Sequence, residues 1–110
     1  MGVITVDDHY GYIDVTGKLV IPPVFVFAYL FSDSLALLSR DWIHHQYINQ
    51  AGEVVIALNK GQKGRPFSEG LAPVMYDDSW GFIDKTGEWV IKRTYRKIDR
   101  FIDGVCPVKV

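Results

Sequence analysis

The chain has 110 residues, with 12 basic and 13 acidic side chains and a formal net charge of −1. That length holds one domain with a modest core, and the balanced charge gives no global reason to bind nucleic acid or a membrane surface. Apolar residues at 48% exclude long disorder, and a single cysteine, Cys106, excludes an internal disulfide framework or a thiolate-rich metal site.

The opening residues, Met1 to Asp8, carry no basic region and no long apolar run, so they do not read as a secretory signal. Ile4-Thr5-Val6 reads as a short strand running into Asp7-Asp8, a residue pair that favours a turn. Tyr10-Gly11-Tyr12-Ile13-Asp14-Val15-Thr16-Gly17-Lys18-Leu19-Val20-Ile21 then reads as a β-hairpin. Asp14 accepts hydrogen bonds from turn amides, and Gly17 supplies the positive φ of the loop. From Leu19 to Leu38 the only charge is Asp33, so hydropathy alone suggests a membrane span. Pro22-Pro23 and the turn-like Phe31-Ser32-Asp33-Ser34 instead divide this stretch into strand, loop and strand.

The hairpin recurs as His45-Gln46-Tyr47-Ile48-Asn49-Gln50-Ala51-Gly52-Glu53-Val54-Val55-Ile56, and again as Trp80-Gly81-Phe82-Ile83-Asp84-Lys85-Thr86-Gly87-Glu88-Trp89-Val90-Ile91, about 35 residues apart. A second block follows each: Phe31-Ser32-Asp33-Ser34-Leu35-Ala36, Phe67-Ser68-Glu69-Gly70-Leu71-Ala72 and Phe101-Ile102-Asp103-Gly104-Val105-Cys106. Its spacing slips by one residue in the middle copy. No window carries an apolar helical period. The predicted fold is all-β: three tandem hairpin modules, at about 3–34, 35–70 and 71–104 with a final partial strand 105–110, in one compact antiparallel domain. Ile4 to Asp8 matches Val74 to Asp78, and Val108-Lys109-Val110 matches the start of that same strand. The terminal strands therefore either pair with each other and close the array, or stay open to strand addition by another chain.

Trp80-Gly81-Phe82-Ile83-Asp84-Lys85-Thr86-Gly87, with Phe67-Ser68-Glu69-Gly70-Leu71-Ala72-Pro73-Val74, resembles the WG repeat (KWG repeat). The first copy has Tyr10-Gly11 in place of Trp-Gly and the middle copy has His45-Gln46. The resemblance implies a bacterial, all-β interaction module, and it brings no catalytic residue set, cofactor or metal.

The residues themselves offer several candidates. Offset by seventy, Val26, Phe27, Tyr29 and Leu30 stand where module three has Arg96, Lys97, Asp99 and Arg100. Four apolar side chains at positions that are charged elsewhere point to a protein interface, a homo-oligomer or a foreign partner, or else to a loop that folds inward or is covered as an end cap. Trp42 has no repeat equivalent and joins that surface as a contact residue, whereas Trp80 and Trp89 read as packing residues. The alternative is an anion or nucleic-acid site at Lys92, Arg93, Arg96, Lys97 and Arg100, extended by Lys60, Lys63 and Arg65. Cys106 aligns with Ala36 and Ala72 and reads as a buried small residue. His44 and His45 would point to opposite faces of a strand and could not share an ion, so no metal is expected. Asp7-Asp8 and Asp77-Asp78 read as turn residues rather than an acid–base pair, so no enzyme is expected. The lone cysteine fits the cytoplasm.

Overall fold

The computed structural model describes residues 2–98, 104–105 and 108–109. Cys106 and Arg100 lie outside them. The strands are β1 (Gly2–Val6), β2 (His9–Ile13), β3 (Leu19–Phe25), β4 (Phe27–Ala28), β5 (Ala36–Ser39), β6 (His45–Ile48), β7 (Val54–Ala57), β8 (Lys63–Gly64), β9 (Ala72–Tyr76), β10 (Ser79–Ile83), β11 (Trp89–Tyr95), β12 (Lys97–Ile98) and β13 (Val108–Lys109). They form four antiparallel sheets ordered β1-β2-β3, β4-β5-β6-β7, β11-β10-β9-β8 and β12-β13. No helix occurs among the described residues, so none is long and apolar enough to cross a membrane.

The turns follow from the residues that make them. Asp7 and Asp8 have φ of 50° and 63° and join the closing pair Val6 and His9. Asp77 and Asp78 do the same at 51° and 60° between Tyr76 and Ser79. Two consecutive left-handed residues make the mirror-image hairpin turn, and Asp tolerates that region. In the longer hairpins Asp14 accepts from the amides of Thr16 and Lys18, Asn49 from those of Ala51 and Glu53, and Asp84 from those of Thr86 and Glu88.

The motif glycine has a steric cause. Tyr10 pairs with Phe25 and Tyr12 with Ile21, so Gly11 alone faces the bulged Pro22, Pro23 and Val24. A Cβ on Gly11 would lie 2.5 Å from the Ile21 carbonyl oxygen and 2.8 Å from the Pro23 nitrogen. In module three Trp80 pairs with Tyr95 and Phe82 with Ile91, and Gly81 sits beneath the same bulge. In the middle module Gln46 pairs with Ala57 and Tyr47 with Ile56 with no bulge between them, and there the glycine is replaced.

Each sheet hands the chain to the next. After the bulged β3, the two residues of β4 pair with β5 rather than with β2, and β8 and β12 do the same for β9 and β13. The sheets therefore straddle the module boundaries. Tyr12, Ile21 and Phe25 of the first sheet bury against Ala36, Leu38 and Ile48 of the second. Leu37, Tyr47 and Ile56 of the second bury against Ala72, Val74 and Ile83 of the third, with Leu35 and Phe67 completing that core. Because the second sheet is covered on both faces, every residue of β5 is buried.

Hydrogen bonds repeat across these interfaces. The Tyr12 hydroxyl donates to the Tyr29 carbonyl at 2.7 Å, and the Tyr47 hydroxyl to the Arg65 carbonyl at 2.7 Å. The Asp33 carboxylate accepts from the Gly70 amide at 2.7 Å, and the Glu69 carboxylate from the Gly104 amide at 2.8 Å. Among the described residues β13 pairs with β12 and not with β1, and the molecule extends 43 × 29 × 20 Å.

Two substitutions test this account by urea unfolding. Gly11→Ala presses a methyl group into backbone and is expected to cost about 1–3 kcal/mol. Tyr47→Phe leaves the part-buried Arg65 carbonyl without its donor and is expected to cost about 1 kcal/mol. Unchanged midpoints would remove the steric and tether accounts respectively.

Candidate functional site

Three of the expected partner residues, Phe27, Tyr29 and Trp42, meet in one cluster around the hand-over of β4 to β5. The Phe27 ring lies 5.7 Å from Tyr29, 5.6 Å from Trp42 and 4.9 Å from His45, centroid to centroid. Two of the four module-one residues face water as expected: Tyr29 is 49% and Leu30 65% exposed. Val26 and Phe27 do not; both are half-buried. The Val26 amide donates to the Ser39 carbonyl at 2.8 Å, and Phe27 packs against the second core. Pairing with β5 is what turns them inward, and a sequence offset to module three could not show it.

Trp42 is 64% exposed and stands on a loop, residues 40–44, that replaces the two-Asp turn of the other modules. The loop is built around two side chains. The Asp41 carboxylate accepts from the Ile43 and His44 amides at 3.0 and 2.8 Å and meets His44 Nδ1 at 2.7 Å. These contacts, the His44 amide foremost, hold the Asp41 carboxyl well below the usual carboxylate range. The Ser39 hydroxyl accepts from the Trp42 amide at 3.1 Å. Trp42 itself has a φ of 70°, an unfavourable region for a bulky side chain, so the loop holds the indole outward against local strain. Ile43 beside it is also exposed.

Next to this cluster runs a groove of about 520 Å³ lined by Val3, Ala28, Tyr29, Leu30, Phe31, Ser32 and Pro66. Only Tyr29 and Leu30 were expected from the sequence. The others come from β1, β4 and two loops that are distant in sequence, which a residue pattern does not reveal. A smaller hollow of about 230 Å³ lies between Arg40, Asp41, His44 and Gln46. Its one carboxylate is already committed to its own loop.

Lys92, Arg96 and Lys97 are exposed. Arg100 and the side chain of Arg93 lie outside the described residues. Arg65, expected to widen that basic surface, is exposed, stacks 4.4 Å from the Trp80 ring centroid and donates to the Ile98 carbonyl of the same basic segment at 3.4 Å. Trp80 is buried as expected, but Trp89 is 37% exposed, matching Leu19 and Val54 at the same register after the turn. These positions lie on the outer strands of their sheets. His45 is buried and its Nδ1 accepts from the Gly64 amide at 3.1 Å, while His44 is exposed. Among the described residues no group of three His, Cys, Asp or Glu could hold a metal ion. Asp7, Asp8, Asp77 and Asp78 all occupy the exposed turns described above.

A family model described as WG containing repeat matches residues 10–40, 47–79 and 80–110. No curated protein and no solved structure matches the chain.

His45 generates a pH prediction. Burial lowers its pKa from the ordinary 6.5, and its Nδ1 is an acceptor, so the fold favours the neutral ring. A base depressed in the folded state contributes stability that is complete above its unfolded pKa and is lost as pH falls below it. The urea midpoint is expected to drop from about pH 7 to 5 more steeply for the wild type than for His45→Gln. Equal slopes would assign the dependence to other groups.

Proposed function

The chain belongs to the WG-repeat family, and from that premise we propose that it is a non-enzymatic protein-binding module whose contact surface is Tyr29, Leu30 and Trp42. The observation that carries the reading is the aromatic platform: Trp42 and Tyr29 flank Phe27, which is anchored in the core, and both present large exposed faces. Trp and Tyr dominate binding energy at interfaces because they bury large rigid areas at low entropic cost. Rigidity is built in here, since Asp41 and Ser39 fix the Trp42 loop before any partner arrives. The adjoining groove gives a partner side chain a concave place beside Leu30.

The test is a displayed-peptide selection on the wild type and on Tyr29→Ser, Leu30→Lys, Trp42→Gly. The residues are exposed, and glycine suits the positive φ at position 42, so the variant keeps its fold. Peptides enriched on the wild type are expected to bind the variant at least about tenfold more weakly, which is about 1.4 kcal/mol. Equal binding would place the contact elsewhere.

A further inference from the structure

The two edges of the first sheet differ. Strand β3 carries Pro22 and Pro23 and a bulge against β2, features that keep an edge from pairing further. Strand β1, Gly2-Val3-Ile4-Thr5-Val6, has no charge, no proline and no bulge, and it pairs with β2 in unbroken register. Among the described residues nothing pairs with its outer edge.

The molecule itself shows what such an edge accepts. By register β1 corresponds to β5 and β9: Gly2 pairs with Ile13 as Ala36 pairs with Ile48 and Ala72 with Ile83. A two-residue strand lies antiparallel on each, Phe27-Ala28 on β5 and Lys63-Gly64 on β9, and Lys97-Ile98 lies on β13 in the same way. The Leu37 carbonyl accepts from the Tyr29 amide and the Pro73 carbonyl from the Arg65 amide, both at 2.9 Å. The equivalent carbonyl on β1 is that of Val3. Of the two complete edges, β9 matches β1 in its surroundings. Both strands end in an exposed two-Asp turn, and both lie opposite an aromatic at the first motif position, Trp80 facing Met75 and Tyr10 facing Thr5. The segment that fills the β9 edge is basic: Lys63 stands opposite Met75, and Arg65 stacks 4.4 Å from the Trp80 ring centroid. On β5, which has the 40–44 loop and His45 in those places, the occupant is Phe27, 4.9 Å from His45. Ile4 is half-buried, while its equivalents Leu38 and Val74 are buried.

We propose that β1 is a strand-addition site for an extended basic peptide of another protein, with lysine, a branched apolar residue and arginine in succession. In the register of β8 on β9, the lysine stands opposite Thr5, close to the carboxylates of Asp7 and Asp8. The apolar residue stands opposite Ile4 and covers it, as cross-strand neighbours do. At that place Gly64 has no room for a Cβ because of the Tyr47 hydroxyl, a constraint that no described residue imposes beside Ile4. The arginine amide donates to the Val3 carbonyl, and its guanidinium stacks on the half-buried Tyr10 ring as Arg65 does on Trp80. Main-chain pairing supplies affinity and the side chains supply choice, so the charged part of the binding weakens with salt. The site uses other residues than Tyr29, Leu30 and Trp42, and the inference does not rest on that surface.

The experiment is fluorescence anisotropy of a labelled synthetic peptide, Ser-Val-Lys-Ile-Arg-Val-Ser, titrated with the full chain, alongside a peptide with glutamate in place of its lysine and arginine. Backbone amide NMR locates the contact, and circular dichroism checks each variant for folding. Thr5→Pro removes an outward amide from the edge strand and leaves the pairing with β2 intact, so it is expected to weaken the basic peptide at least about tenfold. Asp7→Asn with Asp8→Asn keeps a turn that tolerates positive φ, and is expected to weaken it about threefold and to flatten its salt dependence. Trp42→Gly is expected to bind as the wild type does, with the amide shifts centred on Val3 and Thr5. An absence of binding by the basic peptide overturns the inference, as does equal binding of the glutamate peptide. So does affinity that survives in folded Thr5→Pro, or amide shifts centred on Trp42. If the chain alone self-associates, and its Val3 and Thr5 amides shift with its own concentration, a second copy is the occupant and the inference falls.

Discussion

No module in this chain can finish its own sheet. The chain leaves each bulged outer strand by crossing to the neighbouring sheet, where two residues line the edge of the next leading strand. Everything else follows from that crossing. It brings the faces of adjacent sheets into contact, so that an aromatic and an Ile from one sheet bury beneath a small residue, a branched residue and an Ile from the next. It also turns Phe27 inward while leaving its neighbours Tyr29 and Leu30 at the surface, which is how an aromatic platform arises at a structural seam.

The variation among the three copies has physical reasons. The motif glycine is kept where the opposite strand bulges over it and lost at Gln46, where the pairing is regular. Where the third residue of the motif is tyrosine, its hydroxyl ties down the following loop at Tyr29 or Arg65. Gly64 lies against the Tyr47 hydroxyl with no room for a Cβ. In module three the tyrosine is Phe82 and the position matching Gly64 is Ile98, so a missing hydroxyl is matched by a larger side chain.

Much of the fold was legible in the residues. Gly17, Gly52 and Gly87 marked the hairpin turns, and Asp7-Asp8 and Asp77-Asp78 marked the tight ones, because positive φ selects for those side chains. The hand-over was not legible, since two-residue strands carry no periodicity, and so Val26 and Phe27 were expected at the surface. Trp89 was expected as a packing residue, yet like Leu19 and Val54 at the same register it is exposed on an outer strand of its sheet. The acidic residue that clips each turn to the next glycine, Asp33 to Gly70 and Glu69 to Gly104, repeats visibly in the sequence; only its partner in space was hidden.

The constant interval between hairpins also concealed where the middle module is longer. Gly2 to Ala36 is 34 residues and Ala36 to Ala72 is 36, although these residues are equivalent by pairing. One added residue falls in the 40–44 loop at the tip of the β5–β6 hairpin. The other falls between β7 and β8, around the turn in which the Gln62 amide donates to the Asn59 carbonyl. The first lies at a hairpin tip and the second within the crossing from β7 to β8, where the turn takes up the extra length before β8 pairs with β9, so neither shifts the phase of the sheets that follow. For protein engineering the hairpin tip is the permissive site: a reporter loop or a foreign epitope spliced there would be displayed outward while the array keeps its register.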